Sequence, residues 1–127
     1  MAYNILVVDD SATVRAVIRK TLELSGVVLG EFLEAENGKQ GLEILRKSWV
    51  DLVFCDINMP VMNGEEMIRA MREDEELRGI PVVVVSTEAS ATRIETLHQL
   101  GVQDYIKKPF TPEMLRNVVK TLLGDEA

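Results

Sequence analysis

The chain has 127 residues, of which 46% are hydrophobic and 28% are charged, a composition typical of a globular protein that forms one domain. Its formal net charge of minus 7 repels phosphate backbones and anionic membrane surfaces, so we expect neither nucleic acid nor membrane among its partners. No stretch approaches the ~18 apolar residues that cross a bilayer, and no leader pattern opens the chain. The single cysteine, Cys55, fits a reducing compartment. We therefore expect a cytoplasmic protein in which residues 1–127 form one domain.

The first half of the chain predicts three strands separated by two helices. The run 5–8 is apolar without alternation, which favours a parallel strand covered on both faces, and 52–55 repeats that pattern. The run 31–35 mixes charged and apolar residues, as edge strands do. One predicted helix ends at Gly26 and the next begins at a capping Asn37. Their expected core faces carry Val14, Val17, Ile18 and Leu22, and then Leu42, Leu45 and Trp49.

The second half predicts three helices and two more strands. The helices cover 64–73, 90–101 and 111–124, the last with Thr111 as N-cap, and the strands lie at 82–85 and, as a mixed edge strand, at 103–107. The expected core residues of the first two of these helices are Met67, Ile68 and Met71, and then Ile94, Leu97 and Leu100.

Five strands that alternate with five helices predict an α/β fold, a doubly wound five-stranded parallel sheet with right-handed crossovers. With the two mixed strands at the edges, the strand order is 2-1-3-4-5 and the winding reverses between strands one and three. Ligands in such sheets bind outside the carboxyl ends of the strands at that reversal.

Three acids stand at this place in the predicted fold. Asp9 and Asp10 follow the first strand and Asp56 follows the third, so their carboxylates are expected to converge and to need positive charge. Mg²⁺ suits an all-oxygen donor set, whereas zinc favours histidine and thiolate ligands. An EF-hand calcium loop starting at Asp56 is excluded, because Pro60 and Val61 occupy the positions of an oxygen ligand and of the required glycine.

Four motifs resemble the receiver domains of two-component response regulators, and within that family the single-domain chemotaxis regulators. They are LVVDDS, LVFCDINMPVMNG, VVVVSTEA and DYIKKPFTPEML, in that order and nearly from end to end of the chain. The resemblance implies a flavodoxin-like fold of the same strand order.

The resemblance also implies a role for each acid. Asp56 would be the phosphoacceptor, taking a phosphoryl group from a phosphohistidine of a sensor histidine kinase. Asp10 and Asp56 would bind Mg²⁺ through their carboxylates, Asp9 would support the ion directly or through water, and Asn58 would offer its backbone carbonyl. Phosphoryl transfer of this kind needs an in-line nucleophile and positive charge on the phosphoryl oxygens, with no general base.

Further roles follow from the same resemblance. Lys108 would pair with a phosphoryl oxygen, next to a Lys-Pro bond that is often cis in the family, and Lys107 is the competing candidate. Ser86 would be the switch hydroxyl that turns toward the phosphoryl group, and Tyr105 the aromatic residue that moves with it. The alternatives are a plain hydroxyl at a strand end and a half-buried aromatic residue of an edge strand.

Two positions bear on the lifetime of the phosphoryl group. Asn58 and Glu88 lie two residues beyond Asp56 and Ser86, and in the family these positions influence the attack of water. We expect a short-lived phosphoryl state. The family often has Asp where this chain has Asn63, and we expect little consequence because Asn caps a helix nearly as well.

The implied function is a signalling switch whose fourth helix, fifth strand and fifth helix bind a downstream protein such as a flagellar motor component. We expect a monomer. A phosphorelay carrier, a regulator of other motility or of development, and a receiver domain cut from a larger regulator remain open alternatives. An aspartyl-nucleophile phosphatase is disfavoured because Asn58 stands where such enzymes place their general acid, so we expect no turnover enzyme. The intact Asp10, Asp56, Ser86 and Lys108 disfavour a scaffold that is not phosphorylated.

Overall fold

The structure, a computed structural model, describes residues 2–87 and 90–124, and it confirms the predicted fold. All five strands run parallel in the order β2-β1-β3-β4-β5. The elements are β1 Tyr3–Val8, α1 Ala12–Leu24, β2 Leu29–Ala35, α2 Gly38–Lys47, β3 Leu52–Cys55, α3 Gly64–Glu73, β4 Val82–Ser86, α4 Ala91–Gln99, β5 Asp104–Lys107 and α5 Pro112–Leu123.

The core lies in two layers, one on each face of the sheet. Successive residues of the central strands alternate between the layers, so that Leu6 and Val8 of β1 pack on one side and Ile5 and Val7 on the other. Helices α2, α3 and α4 cover the first layer, and α1 and α5 cover the second. Because both faces are covered, the central strands carry apolar side chains on both faces, which explains the lack of alternation in 5–8, 52–55 and 82–85.

Side-chain caps fix the starts of the helices as the sequence predicts. Asn37 accepts a hydrogen bond from the Gln40 backbone N–H, and Thr111 caps α5 in the same way. Asn63 forms a capping box with Glu66, in which each side chain accepts a hydrogen bond from the other residue's backbone N–H at 2.9 Å. The asparagine that departs from the family pattern therefore keeps its capping role.

Three residues expected in the core are exposed instead. Trp49 is 77% exposed, because α2 ends at Lys47 and Ser48 is extended, so that Trp49 no longer continues the helical face. Val17 is 49% exposed, because the buried face of α1 is narrower than the sequence predicts and is centred on Ile18 and Leu22. Ile94 is 38% exposed, because α4 fully buries a single residue, Leu97.

No helix among residues 2–87 and 90–124 is long and apolar enough to cross a membrane.

Arg72 of α3 ties together three segments at one edge of the molecule. Its guanidinium donates hydrogen bonds to four backbone carbonyl groups at 2.7 to 3.2 Å. They belong to Arg78 and Ile80, in the loop before β4, and to Leu100 and Gly101, after α4. A single side chain therefore holds the loop and the end of α4 against α3.

We predict that Arg72→Met lowers the free energy of unfolding by about 2–3 kcal/mol, because four carbonyl groups lose a charged donor. Arg69→Met is the matched control on the same helix, since Arg69 is half exposed and pairs with Glu65 alone. We expect that control to cost about 0.5 kcal/mol or less. Urea denaturation measures both, and equal losses would show that the four hydrogen bonds do not stabilise the fold.

Candidate functional site

Three carboxylates converge at the carboxyl ends of β1 and β3. These strands are neighbours, with Val8 opposite Cys55, so that Asp9 and Asp56 leave the sheet side by side. One carboxylate oxygen each from Asp9, Asp10 and Asp56 lies within 4.8 Å of the others. Asp9 is buried, Asp56 is partly buried and Asp10 is exposed. The cluster is therefore closed toward the core and open toward solvent.

Lys108 supplies positive charge to this cluster. Its ammonium Nζ lies 3.0 Å from Oδ2 of Asp9 and 3.3 Å from Oδ2 of Asp56, and the Lys108-Pro109 peptide bond is cis. Lys107, the competing candidate, is exposed on β5. Lys108 is thus the lysine that the fold brings to the acids.

Burial and charge act on these groups in opposite directions. Burial raises the pKa of the Asp9 carboxyl above its ordinary value, and hydrogen bonds from the Ser11 backbone and Lys108 oppose this only in part. Burial alone would lower the pKa of Lys108, but the hydrogen bonds and charges of Asp9 and Asp56 outweigh it and raise that pKa. Lys108 therefore carries its charge at neutral pH.

The charge balance and the donor set fit a hard divalent cation. One ammonium faces three carboxylates, so the cluster can accept two further positive charges when all three acids are ionised. The clustered donors are all carboxylate oxygens, which are the ligands that Mg²⁺ prefers. The cluster is therefore a candidate Mg²⁺ site.

Hydrogen bonds and a close backbone contact fix the position of Asp56. Its backbone N–H donates to the Val8 carbonyl at 2.9 Å, and its Oδ1 accepts a hydrogen bond from the Ile57 N–H at 2.7 Å. At Gly64, the first residue of α3, a Cβ atom would lie 2.2 Å from the Asp56 carbonyl oxygen. Only glycine permits this approach, which fixes the backbone of Asp56 between β3 and α3.

The other predicted site residues surround the cluster at different depths. Ser86 is buried at the end of β4, and its carbonyl accepts a hydrogen bond from the Lys108 N–H at 3.0 Å. Asn58 is exposed two residues beyond Asp56. Tyr105 is partly buried, with its hydroxyl oxygen buried, and it packs against the core layer beneath α4. Glu88 lies outside the described residues.

Sequence reasoning missed the contacts of Arg15 and an ion pair between two helices. Arg15 of α1 donates one hydrogen bond to the Asp9 carbonyl and another to the Glu34 carboxylate of β2, which fixes the turn after β1. Glu65 and Arg93 form an ion pair of 2.8 Å between the starts of α3 and α4. Arg15 and Glu34 are 19 residues apart, and Glu65 and Arg93 are 28 apart, so no local pattern indicates these two pairs.

The fold and the cluster define a class of protein. It is a doubly wound α/β domain whose acidic site contains a lysine and lies where the winding of the sheet reverses, between β1 and β3. The chain belongs to the response regulator receiver domain family, whose model matches residues 5–120. This confirms the resemblance seen in the sequence. Receiver domains are signalling modules that interact with histidine kinases and downstream targets, and this chain is a two-component response regulator.

Three known proteins illustrate the similarity. A chemotaxis protein CheY homolog of Campylobacter jejuni is 38% identical over 122 residues, which cover 95% of this chain and 92% of the relative. The phosphorylated cyanobacterial phytochrome response regulator RcpA is 26% identical with a TM-score of 0.85, covering 97% of this chain and 95% of that one. The receiver domain of the Pseudomonas aeruginosa sensor histidine kinase PA1611, with magnesium coordinated in its active-site cleft, is 25% identical with a TM-score of 0.85, covering 98% and 100%.

We predict that Lys108→Met lowers the free energy of unfolding by about 1–3 kcal/mol in the presence of EDTA, because Asp9 and Asp56 then face each other without the ammonium. Adding Asp56→Asn to that variant should recover part of the loss, since one of the two charges is removed. Lys107→Met is the matched control, and we expect it to change stability by about 0.5 kcal/mol or less. Denaturant titration at low ionic strength measures all three, and a Lys108→Met variant as stable as the parent would contradict the prediction.

Proposed function

We propose that Asp56 accepts a phosphoryl group from the phosphohistidine of a sensor histidine kinase. The observation that carries the proposal is the position of its carboxylate, partly exposed and 3.3 Å from the Lys108 ammonium within the acidic cluster. Asp9 is a poorer nucleophile because it is only 3% exposed, whereas Asp56 is partly exposed and open to a phosphodonor. Asp10 is exposed and forms the outer wall of the cluster.

The transfer needs no general base. A carboxylate oxygen of Asp56 attacks phosphorus and the bond between phosphorus and the histidine nitrogen breaks. The electron pair of that bond stays on the imidazole ring, which carries a proton on its other nitrogen. Lys108 is placed to contact a phosphoryl oxygen and to offset its developing charge. The product is an aspartyl phosphate and a neutral histidine.

We propose Mg²⁺ as the cofactor, held by Asp10 and Asp56 through carboxylates, by Asp9 directly or through water, and by the Asn58 backbone carbonyl. The all-oxygen donor set supports this choice, as does the magnesium in the similar PA1611 receiver domain. When bound, the ion neutralises phosphoryl oxygens during transfer.

We propose that phosphorylation acts through Ser86 and Tyr105 on the face formed by α4, β5 and α5. A phosphoryl group adds about 1.5 to 2 negative charges and new hydrogen-bond acceptors at the edge of β4, which is enough to bias a two-state loop. Tyr105 packs beneath α4 and lines a cavity of about 210 Å³ with Ile94 and His98. A side chain in this position can couple the site to the outer surface.

The similarity to chemotaxis proteins supports a flagellar motor component as the downstream partner. The similarity to a receiver domain of a sensor histidine kinase favours a second candidate, a phosphorelay carrier or a receiver of a larger regulator.

Under both candidates the protein is no turnover enzyme, since an amide at Asn58 cannot serve as a general acid. We also propose a monomeric, one-domain protein in the cytoplasm, where the free Cys55 thiol would stay reduced.

Incubation with acetyl phosphate and Mg²⁺ should add one phosphoryl group to the protein, because the cluster holds both the nucleophile and its positive charges. Intact mass spectrometry after rapid quenching measures the adduct. EDTA and the Asp56→Asn variant should abolish it, whereas Asp104→Asn, an exposed site at the start of β5, should not. An undiminished adduct in Asp56→Asn, or none in the parent, would refute the proposal.

Replacing Asn58 by leucine should lengthen the lifetime of the phosphoryl group about three- to tenfold, because a bulky apolar side chain excludes the attacking water. The decay of the adduct after removal of the donor measures the rate. Asn117→Leu, an exposed change on α5, is the matched control. An unchanged decay in Asn58→Leu would contradict the role of this position. The matching role of Glu88 stays a prediction, since that residue lies outside the described residues.

A further inference from the structure

A groove of about 690 Å³ lies at the end of the sheet opposite to the acidic cluster. We call it the Trp49 groove; residues 45–51, at the end of α2 and before β3, form one side, and residues from 76–81, before β4, form the other. The buried side chains of Leu45 and Leu77 form part of its floor. None of the residues assigned above to phosphorylation lines it.

Trp49 stands in this groove with 77% of its surface exposed. Tryptophan is among the side chains that most often dominate binding energy at protein interfaces. Its exposure is not a result of disorder in the backbone, because Asn4 of β1 donates a side-chain hydrogen bond to the Trp49 carbonyl at 3.0 Å. The residue is therefore presented on a fixed segment.

The indole ring itself is also oriented before any partner arrives. Its Nε1–H donates to Oδ1 of Asp51 at 2.9 Å, and Oδ2 of Asp51 accepts the Asn4 backbone N–H at 2.8 Å. A ring held in this way loses little conformational entropy on binding. Because its polar edge is already engaged, the surface that remains for a ligand is the aromatic face.

The chemistry of that face favours a cation. Aromatic faces attract ammonium and guanidinium groups, most strongly when the ring is tryptophan. The carboxylate of Asp51 at the N–H edge adds negative potential beside the ring.

The formal charges around the groove also favour a positively charged ligand. Arg46 and Lys47 are balanced among the lining residues by Asp51 and Glu76. The adjoining residues Glu73, Asp74 and Glu75 add three acids, which Arg72 and Arg78 offset only in part, and Arg46 lies 4.0 Å from Asp74. The surroundings are therefore net negative, on a chain whose formal charge is minus 7.

We propose that the Trp49 groove binds a basic segment of a partner protein, with an arginine side chain stacked on the indole and a neighbouring cation facing residues 73–76. Arginine suits this position because its planar guanidinium stacks on aromatic rings and keeps its charge. The interaction is separate from phosphorylation of Asp56, and a partner bound here leaves the opposite end of the sheet accessible.

The chain offers a direct optical probe, because Trp49 is its only tryptophan. A hexapeptide of alternating glycine and arginine should change the tryptophan emission saturably, in buffer that contains Mg²⁺ to compete for the acidic cluster. The same peptide with citrulline in place of arginine keeps the shape but loses the charge. It should bind at least fivefold more weakly, and equal affinity for the two peptides would overturn the proposal.

Variants separate stacking from general attraction of a basic peptide to an acidic protein. Trp49→Leu leaves every charge in place, so it should weaken binding of the arginine peptide about fivefold or more in calorimetry. Trp49→Phe keeps an aromatic face and should weaken it about threefold or less. Leu24→Ala, an exposed change on α1, should have no effect.

Undiminished binding to Trp49→Leu would overturn the proposal, since charge alone would then explain the affinity. A dimer that forms without peptide and is lost in Trp49→Leu, measured by sedimentation, would also overturn it, because a second copy would be the occupant. Phosphorylation from acetyl phosphate should be unchanged in Trp49→Leu, which shows that the variant is folded. Failure of phosphorylation in the parent protein would refute the proposed function and leave this inference standing.

Discussion

The clustering of three carboxylates, two of which contact one ammonium, is the constraint on which the rest of the site depends. Asp9 and Asp56 come together because β1 and β3 are parallel neighbours, and the fold places Lys108, which follows the edge strand β5, against both. Clustered carboxylates without positive charge would destabilise the protein. Under the proposed function the same imbalance is useful, because a cluster short of positive charge suits a divalent cation, which would in turn offset the charge of a phosphoryl group.

Most of the fold could be predicted from the sequence, because its signals are local. Runs of apolar residues without alternation indicate strands covered on both faces, and Asn37 and Thr111 cap their helices through contacts three residues away. The failure at Trp49 shows where such reasoning stops. The helical spacing of apolar residues continues in the sequence past Lys47, but the backbone becomes extended at Ser48. Hydrogen bonds to the distant Asn4 and to the nearby Asp51 then hold Trp49 outward.

The positions of the acids were predictable for the same reason that the fold was. Parallel strands bring their carboxyl ends to one edge, so residues directly after the strands must meet there. The contacts of Arg15 and the pair of Glu65 with Arg93 were not predictable, because they join elements whose relative placement depends on the whole packed structure. The four carbonyl contacts of Arg72 are of this kind too, and they leave no pattern in the sequence.

The central claim is that Asp56, rather than Asp9 or Asp10, carries the phosphoryl group. Borohydride reduces an aspartyl phosphate to homoserine, so reduction of the phosphorylated protein followed by peptide sequencing in a mass spectrometer identifies the acceptor directly. We predict homoserine at position 56 only, dependent on Mg²⁺ during phosphorylation. Homoserine at position 9 or 10, or a phosphorylated protein without homoserine at position 56, would contradict the account.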